Sequence, residues 1–480
     1  MPDTARPLES QPAQVAGIER VFALQRQAFA AEPYPSIEAR RTRLDALIRA
    51  VEANEERIVK AVNDDFSCRS RHETLVAEVI VSVSAAKAAK ASLARWMRPR
   101  PVATPLHMKP GHSRIEPQPL GVIGIIAPWN YPVQLALSPA AAALAAGNRV
   151  MLKPSELTPR TSELLREIVS AEFDENVFAV VTGGVDLGQA FSSVPFDHLL
   201  FTGSTSVGRH VYMAAAKNLT PVTLELGGKS PAIIDESADV GAAALSIAHG
   251  KSFNAGQTCV APDYVLAPKG KLEATVAAIA ASVGRLYPEI DTTPDYTAII
   301  SQRHFARLKA MVAEAKDAGA KVIEIGSSNA LDPQRKLPFT IVVDPPAGLA
   351  LMKEEIFGPI LPVLGVEGRD GAIAHVNAGD RPLALYWFGA NDAARDDVLR
   401  RTVSGGVTVN DTLWHVAQEN LPFGGVGKSG IGGYHGERGF ETFSHMKPVF
   451  YQSKFASSKM LYPPFSEKTD GLLKMVRKIV

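Results

Sequence analysis

The sequence predicts an α/β protein built on doubly wound parallel sheets, and three observations point there. Short apolar runs alternate with helical patterns from about residue 121 onward. The runs close in glycine or proline turns, as strands do when they feed a helix. The longest uncharged stretch, 117–148, is interrupted by Pro128, Pro132 and Pro139, with Trp129, Asn130, Tyr131 and Gln134 at its middle. Hydrocarbon would penalise those residues, so the stretch reads as buried strand, turn and helix and not as a membrane span.

Along the chain, the first 14 residues carry acids and prolines with no apolar run, which reads as a polar lead-in and not a secretory signal. Over 36–98, Leu44, Leu47, Ile48 and Val51, then Ile58, Val59 and Val62, recur at helical spacing. Seven Lys or Arg and no acid fall between Glu78 and Glu116. Without interleaved aromatics this is a solvated helix face followed by the proline-rich connector RPRPVATPLHMKPGH, not a nucleic-acid patch. GVIGIIAP, NRVMLKP, VFAVVTG and HLLFTG then read as strands, with helices between them. A second α/β region follows over about 229–441, including the strands PAIID and YVLAP. The closing SEKTDGLLKMVRKIV is too short and too charged to span a bilayer, and reads as a docked or frayed tail or a weak amphipathic surface helix.

The 480 residues suggest about three structural units. At 46% hydrophobic and 21% charged residues, the composition is that of a folded globular chain. A net charge of +1 offers no field for gripping nucleic acid or an anionic membrane. Two cysteines, Cys68 and Cys259, are too few for a disulfide framework or a cysteine-rich zinc site. They suit a reducing, cytoplasmic setting.

Four segments could carry chemistry. Asn130, after the strand 121–127, is either an amide donor to an oxyanion or a turn-forming Asn. FTGSTSVG at 201–208 is a glycine turn into a helix, where Gly203, Ser204 and Gly208 either expose amides to a pyrophosphate or are packing residues. Glu225 in LELGGKSP stands alone in an apolar, glycine-rich setting, either a base of raised proton affinity or half of a buried ion pair. Cys259 in FNAGQTCVAP sits in a loop of small and polar residues, either a reactive thiol or an inert buried one; Cys68 lies in a charged segment and reads as incidental.

Together and in this order, PWN, ELGGKSP, GQTC and EEIFGP resemble the aldehyde dehydrogenase superfamily, with Glu225 and Cys259 34 residues apart. The resemblance spans about 36–450. FDHLLFTGSTSVGR, RPLALYWFG and LPFGGVGKSGIGGYHGERGFETFSH are similar to its class 3 branch, nearest to members that act on coniferyl-type aldehydes.

The resemblance implies a dinucleotide-binding domain over 1–100 and 120–227, a catalytic α/β domain over 228–442, a small β oligomerisation arm from 101–119 and 443–453, and a tail over 454–480. It implies Cys259 as nucleophile, Asn130 as oxyanion donor and Glu225 as the base that hydrolyses a thioester, with no metal. Lys153 and Glu156 would hold the adenosine ribose, Gly203, Ser204 and Gly208 the pyrophosphate, and Glu355 and Phe357 the nicotinamide ribose and ring. A carboxylate at Glu156 favours NAD, with NADP possible, because it repels a 2′-phosphate. Tyr131, Trp387, Asn410, Trp414 and His415 would line the substrate channel, although Trp387 equally suits the core and His415 the surface. The expected protein is a homodimer that oxidises aromatic, coniferyl-type aldehydes. The alternatives are a medium- or long-chain aliphatic aldehyde enzyme, a CoA-acylating one, or a catalytically silent dinucleotide binder.

Overall fold

The computed structural model describes residues 11–478. Two large sheets and one small one carry the strands. In the first sheet, Val222–Glu225, His198–Thr202, Val122–Ile126, Arg149–Lys153 and Phe178–Val180 lie side by side in that order, all parallel. The chain moves outward from Val122–Ile126 in one direction, then returns to place His198–Thr202 on its other side. That reversal opens a crevice at the carboxyl ends of these two central strands, where open α/β sheets bind ligands. Helices cover both faces, so the central strands are buried on both sides and read as continuous apolar runs.

The second sheet runs Lys321–Ile325, Phe339–Val343, Ile360–Val366, Tyr264–Pro268, Pro231–Ile234, Ala384–Phe388, Gly406–Val409, parallel except for the first, antiparallel strand. The stretches 101–119 and 443–453 meet in a third, antiparallel sheet. There His112–Pro119 lies between Arg100–Val102 and Ser444–Tyr451, and Ser444 opposes Pro119.

Two features differ from the sequence expectation, and a third realises one of its alternatives. The polar lead-in is helical from Gln11. Helix Gln11–Ala31 docks on the first sheet through Ile18 and Val21, while Gln25 Nε2 donates to the carbonyls of Val150 and Glu175 and Arg26 pairs with Asp197 at 2.9 Å. Val15, Ile18, Phe22 and Phe29 recur on one face at three-, four- and seven-residue spacing, a helical stripe that the polar residues ahead of it masked, and Phe22 packs on Phe196 at 5.6 Å. Residues 1–10 lie outside the described residues. Second, Gly430–Ile431, inside the stretch assigned to the catalytic domain, is an antiparallel edge strand of the first sheet, with Gly430 opposite Glu225. Third, the tail carries a helix, Glu467–Val476, whose capping box joins Ser466 and Thr469 and which buries only Thr469. Among the described residues no helix is long and apolar enough to cross a membrane.

Candidate active site

The turn after Val122–Ile126 carries Asn130 to the crevice, and the following helix, Gln134–Ala146, is buried along its whole length. Asn130 is buried, and its Nδ2 donates to the Gln257 carbonyl at 3.2 Å, leaving the second N–H of the amide free. Thus the turn-forming Asn that bonds its own backbone is not what the structure contains.

Cys259 reaches the same place from the second sheet. Asn254, Ala255 and Gly256 have φ of 50°, 50° and 71°, three successive left-handed residues that reverse the chain. A Cβ at Gly256 would stand 2.5 Å from the Gly358 carbonyl, so no other residue fits there. Gln257 locks the reversal. Its Nε2 donates to Asn254 O and Ala298 O, and its Oε1 accepts from Ile300 N. Cys259 is half-buried. Burial first, then the charges of Glu355 and Glu225, push its thiol up to about 12. Nucleophilic use at neutral pH therefore needs a proton acceptor beside it.

Glu225 ends its strand in register with Thr202, directly before the Gly203 turn. It is 3% exposed, and neither carboxylate oxygen has a hydrogen-bond partner among the described residues. That excludes a buried ion pair, and burial holds the carboxyl well above its usual range.

Ser204 caps helix Thr205–Ala216 by accepting from Val207 N at 3.4 Å. Gly203 and Gly208 are closely packed: added Cβ atoms would meet the Phe201 ring at 2.6 Å and Leu226 Cδ2 at 2.7 Å. Lys153 Nζ pairs with Glu156 at 2.8 Å at the end of the neighbouring strand. Burial pushes Glu156 up, but the hydrogen bond and charge of Lys153 outweigh it and hold Glu156 below its usual value. Glu355 comes from the loop before Ile360–Val366, and a Cβ on Gly227 would collide with its carboxylate. Burial, then Asp263, raise Glu355 to about 8. Phe357, at φ 54°, meets the edge of Trp129 at 5.4 Å, one residue from Asn130.

The substrate residues divide. Tyr131 is at the site: its hydroxyl is 2.6 Å from Thr258 Oγ1, the neighbour of Cys259. Trp387 is a correction. It is packed with Ile233, Leu266, Ile373 and Val398 on the opposite face of the second sheet, because side chains alternate along Ala384–Phe388. Its neighbour Tyr386 faces the site, donating to the Val260 carbonyl. Asn410 is also corrected, since both ends of its amide bond the backbone of Gly389, at 2.8 and 3.0 Å. Trp414 is 64% exposed and held by Asp411 at 2.8 Å. His415 is buried, 2.8 Å from Thr408 Oγ1, with burial lowering it to about 4, so it is neither a surface nor a charged histidine.

Other residues of the site were missed. Lys229 binds Asp263 at 2.5 Å and the carbonyls of Leu351 and Glu354, and Asp263 accepts from Ile356 N, so this pair shapes the Glu355 loop. Tyr434 is buried where the charges of Glu225, Cys259 and Glu419 reach it. Lys229 lies within ELGGKSP and Tyr434 within LPFGGVGKSGIGGYHGERGFETFSH, but those motifs do not show their contacts, because their partners come from segments distant in sequence. Cys68 is elsewhere, its thiol donating to Pro294 O at 3.4 Å.

A half-free amide, a thiol and an unpaired buried carboxyl meeting at a doubly wound crevice define an enzyme of the aldehyde dehydrogenase family. The chain belongs to that family, whose model matches residues 4–449. Among its relatives, a Caulobacter vibrioides protein named probable coniferyl aldehyde dehydrogenase is 49% identical over 466 residues, covering 95% of this chain and 96% of its own. The coniferyl aldehyde dehydrogenase of a Pseudomonas species is 47% identical over 446 residues, covering 92% of each. A solved Staphylococcus aureus AldH, described as a substrate-bound state, superposes with a TM-score of 0.90 at 37% identity, covering 96% of this chain and 99% of that one.

Proposed function

We propose that this protein oxidises aromatic, coniferyl-type aldehydes to carboxylic acids, with Cys259 as nucleophile and NAD as the favoured cofactor. One observation carries the reading: the buried Glu225 carboxylate has no hydrogen-bond partner among the described residues at a strand end of the crevice into which the Asn130 amide, bonded two residues before Cys259, also reaches. The donor set fits a nicotinamide dinucleotide. The Ser204-capped helix suits a pyrophosphate, the Lys153–Glu156 pair a ribose, and Glu355 beside Gly227 a second ribose. Two solved relatives, from Mycobacterium tuberculosis and Staphylococcus aureus, are described as NAD+ complexes, which supports the same group here. When bound, it supplies the hydride acceptor.

The chain's own residues do the rest. Cys259, its proton passed to solvent, bonds to the aldehyde carbon, and the carbonyl oxygen becomes an oxyanion. The free N–H of Asn130 and the Cys259 backbone N–H stabilise that charge. Departure of hydride restores the C=O and leaves a thioester on Cys259. Glu225 then accepts a proton from water as its oxygen bonds to the acyl carbon. The C–S bond breaks, releasing the carboxylic acid and the thiolate.

Tyr131, Tyr386 and Tyr434 near Cys259 suit a flat aromatic substrate. The third sheet leaves Arg100–Val102 and Ser444–Tyr451 as edges, and exposed Val102, Leu106 and Phe450 lie with them, which suits strand addition by a second copy in a homodimer. The test is oxidation of coniferaldehyde and of C6–C10 aldehydes with NAD and with NADP, read as reduced-nicotinamide absorbance. Coniferaldehyde turnover that Cys259→Ala abolishes supports the reading. Turnover of the aliphatic series alone rejects the aromatic assignment.

A further inference from the structure

The segment 69–80 lies under the site without touching the reacting positions, and it holds three buried charges. It leaves helix Glu55–Phe66 through Ser67, at φ 67°, and Asn63 Oδ1 fixes the Arg69 amide at 2.9 Å. The Arg69 side chain is wholly buried. Its Nη1 donates to the Asn130 carbonyl at 2.7 Å, Glu78 stands 3.5 Å away, and the Phe66 and Tyr131 rings flank the guanidinium at 4.9 and 4.8 Å.

The two acids of the segment hold the rest of the same turn. Glu78 lies on a π-helical turn, Leu75–Ile80, an arrangement often found at functional sites. Its Oε2 accepts from Val133 N and Gln134 N, at 3.0 and 2.8 Å, where helix Gln134–Ala146 begins. Glu73 Oε2 accepts from Asn254 N at 2.9 Å and Thr297 Oγ1 at 3.2 Å. Asn254 Nδ2 completes the circuit on the Asn130 carbonyl at 3.1 Å. One segment thus grips the turn that carries Asn130 and the left-handed reversal that carries Cys259.

A buried Arg–Glu pair is an expensive way to stabilise a core, and apolar residues of similar volume often do as well or better. What apolar residues could not supply is the bond from Arg69 to Asn130. We propose that Arg69 is a positioning residue for the oxyanion site, acting through Asn130, whose carbonyl it clamps so that the side-chain amide is aimed before substrate arrives. This rests on the oxyanion role proposed above for Asn130. Without the clamp, the Asn130 carbonyl keeps only Asn254, and the peptide can turn. A displacement on the order of 1 Å in such a group costs about 10²-fold in rate.

The test is a double-mutant cycle of Arg69→Met and Asn130→Ala in the full-length enzyme, with Arg69→Lys as the conservative variant. Steady-state kcat and KM are read on whichever aldehyde the wild type oxidises fastest. Arg69→Met is expected to lower kcat by about 10²-fold with KM changed less than about threefold, Arg69→Lys by less, and Arg69→Met to cost almost nothing once Asn130 is Ala. If Arg69→Met does not fold, Arg69→Lys is put through the same cycle. An unchanged kcat, or an equal loss with and without Asn130, overturns the proposal while leaving the oxyanion role intact. An Asn130→Ala enzyme as fast as wild type overturns the oxyanion role itself and the proposal with it.

Discussion

The Asn130 amide donates to the Gln257 carbonyl, 3.2 Å away and two residues before Cys259. This bond ties the turn after a central strand of the first sheet to the Cys259 loop of the second, so the Asn130 amide and the thiol are held relative to one another. Replacing Asn130 by Ala should lower kcat by about 10²–10³-fold with little change in KM, because the donor matters only once charge develops on oxygen. Steady-state kinetics check this, and a proportional rise in KM at unchanged kcat would assign Asn130 to substrate binding instead.

Glu225→Gln separates the two halves of the reaction. Hydride departure should continue for one turnover, giving a burst of reduced cofactor, while steady-state turnover falls by about 10²–10⁴-fold. Stopped-flow absorbance reads both phases, and mass spectrometry should find an acyl adduct on Cys259.

The same substitution has a signed effect on stability. Burial raises the folded-state pKa of Glu225, so the folded chain holds a proton that the unfolded chain releases above about pH 4.5. Wild type therefore loses stability as pH rises from there toward the folded value. The urea midpoint of Glu225→Gln should match wild type near pH 4 and exceed it increasingly toward pH 8; a gap that does not grow with pH would contradict the buried, unpaired state.

Acid should unfold the protein through its buried histidines. Burial lowers His198, His415 and His435 to about 4, with the His415 charge adding to the effect at His435. Each is neutral in the fold but protonated in the unfolded chain below about 6.5, so stability present above 6.5 is lost as pH falls toward 4. Among the described residues neither ring nitrogen of His435 has a hydrogen-bond partner, and the ring stacks on Phe423. His435→Phe should flatten that loss by up to about 1.4 kcal/mol per pH unit, measured by urea unfolding between pH 7 and 5.

Cofactor choice should turn on Glu156, which Lys153 keeps ionised. Glu156→Gln removes a charge that opposes a 2′-phosphate. The ratio of kcat/KM with NADP to that with NAD should rise about tenfold. A constant ratio would place 2′-hydroxyl recognition elsewhere.

The parallel strands were legible because they are buried on both faces and end in turns, and each candidate site residue was legible as a candidate because its motif is local: the Cys259 loop, the Glu225 strand end, the Asn130 turn. Trp387 and Tyr386 show where that reading stops. Adjacent strand residues face opposite ways, and which face meets the thiol depends on how the second sheet is covered, so the larger aromatic proved to be core. Helix Gln11–Ala31 shows a different limit: its stripe of Val15, Ile18, Phe22 and Phe29 is local, but its docking rests on Gln25, Arg26, Ile18, Val21 and Phe22 against a sheet more than 90 residues away.

Local pattern therefore decided which chemical groups this chain possesses and on which strand or turn each one sits, because turn chemistry and burial period act over a few residues. Tertiary structure decided what those groups can do. The unpaired state of Glu225, the raised thiol of Cys259 and the clamp of Arg69 on Asn130 arise from desolvation or from partners 34 to 96 residues apart, and none is a property of any short stretch of chain.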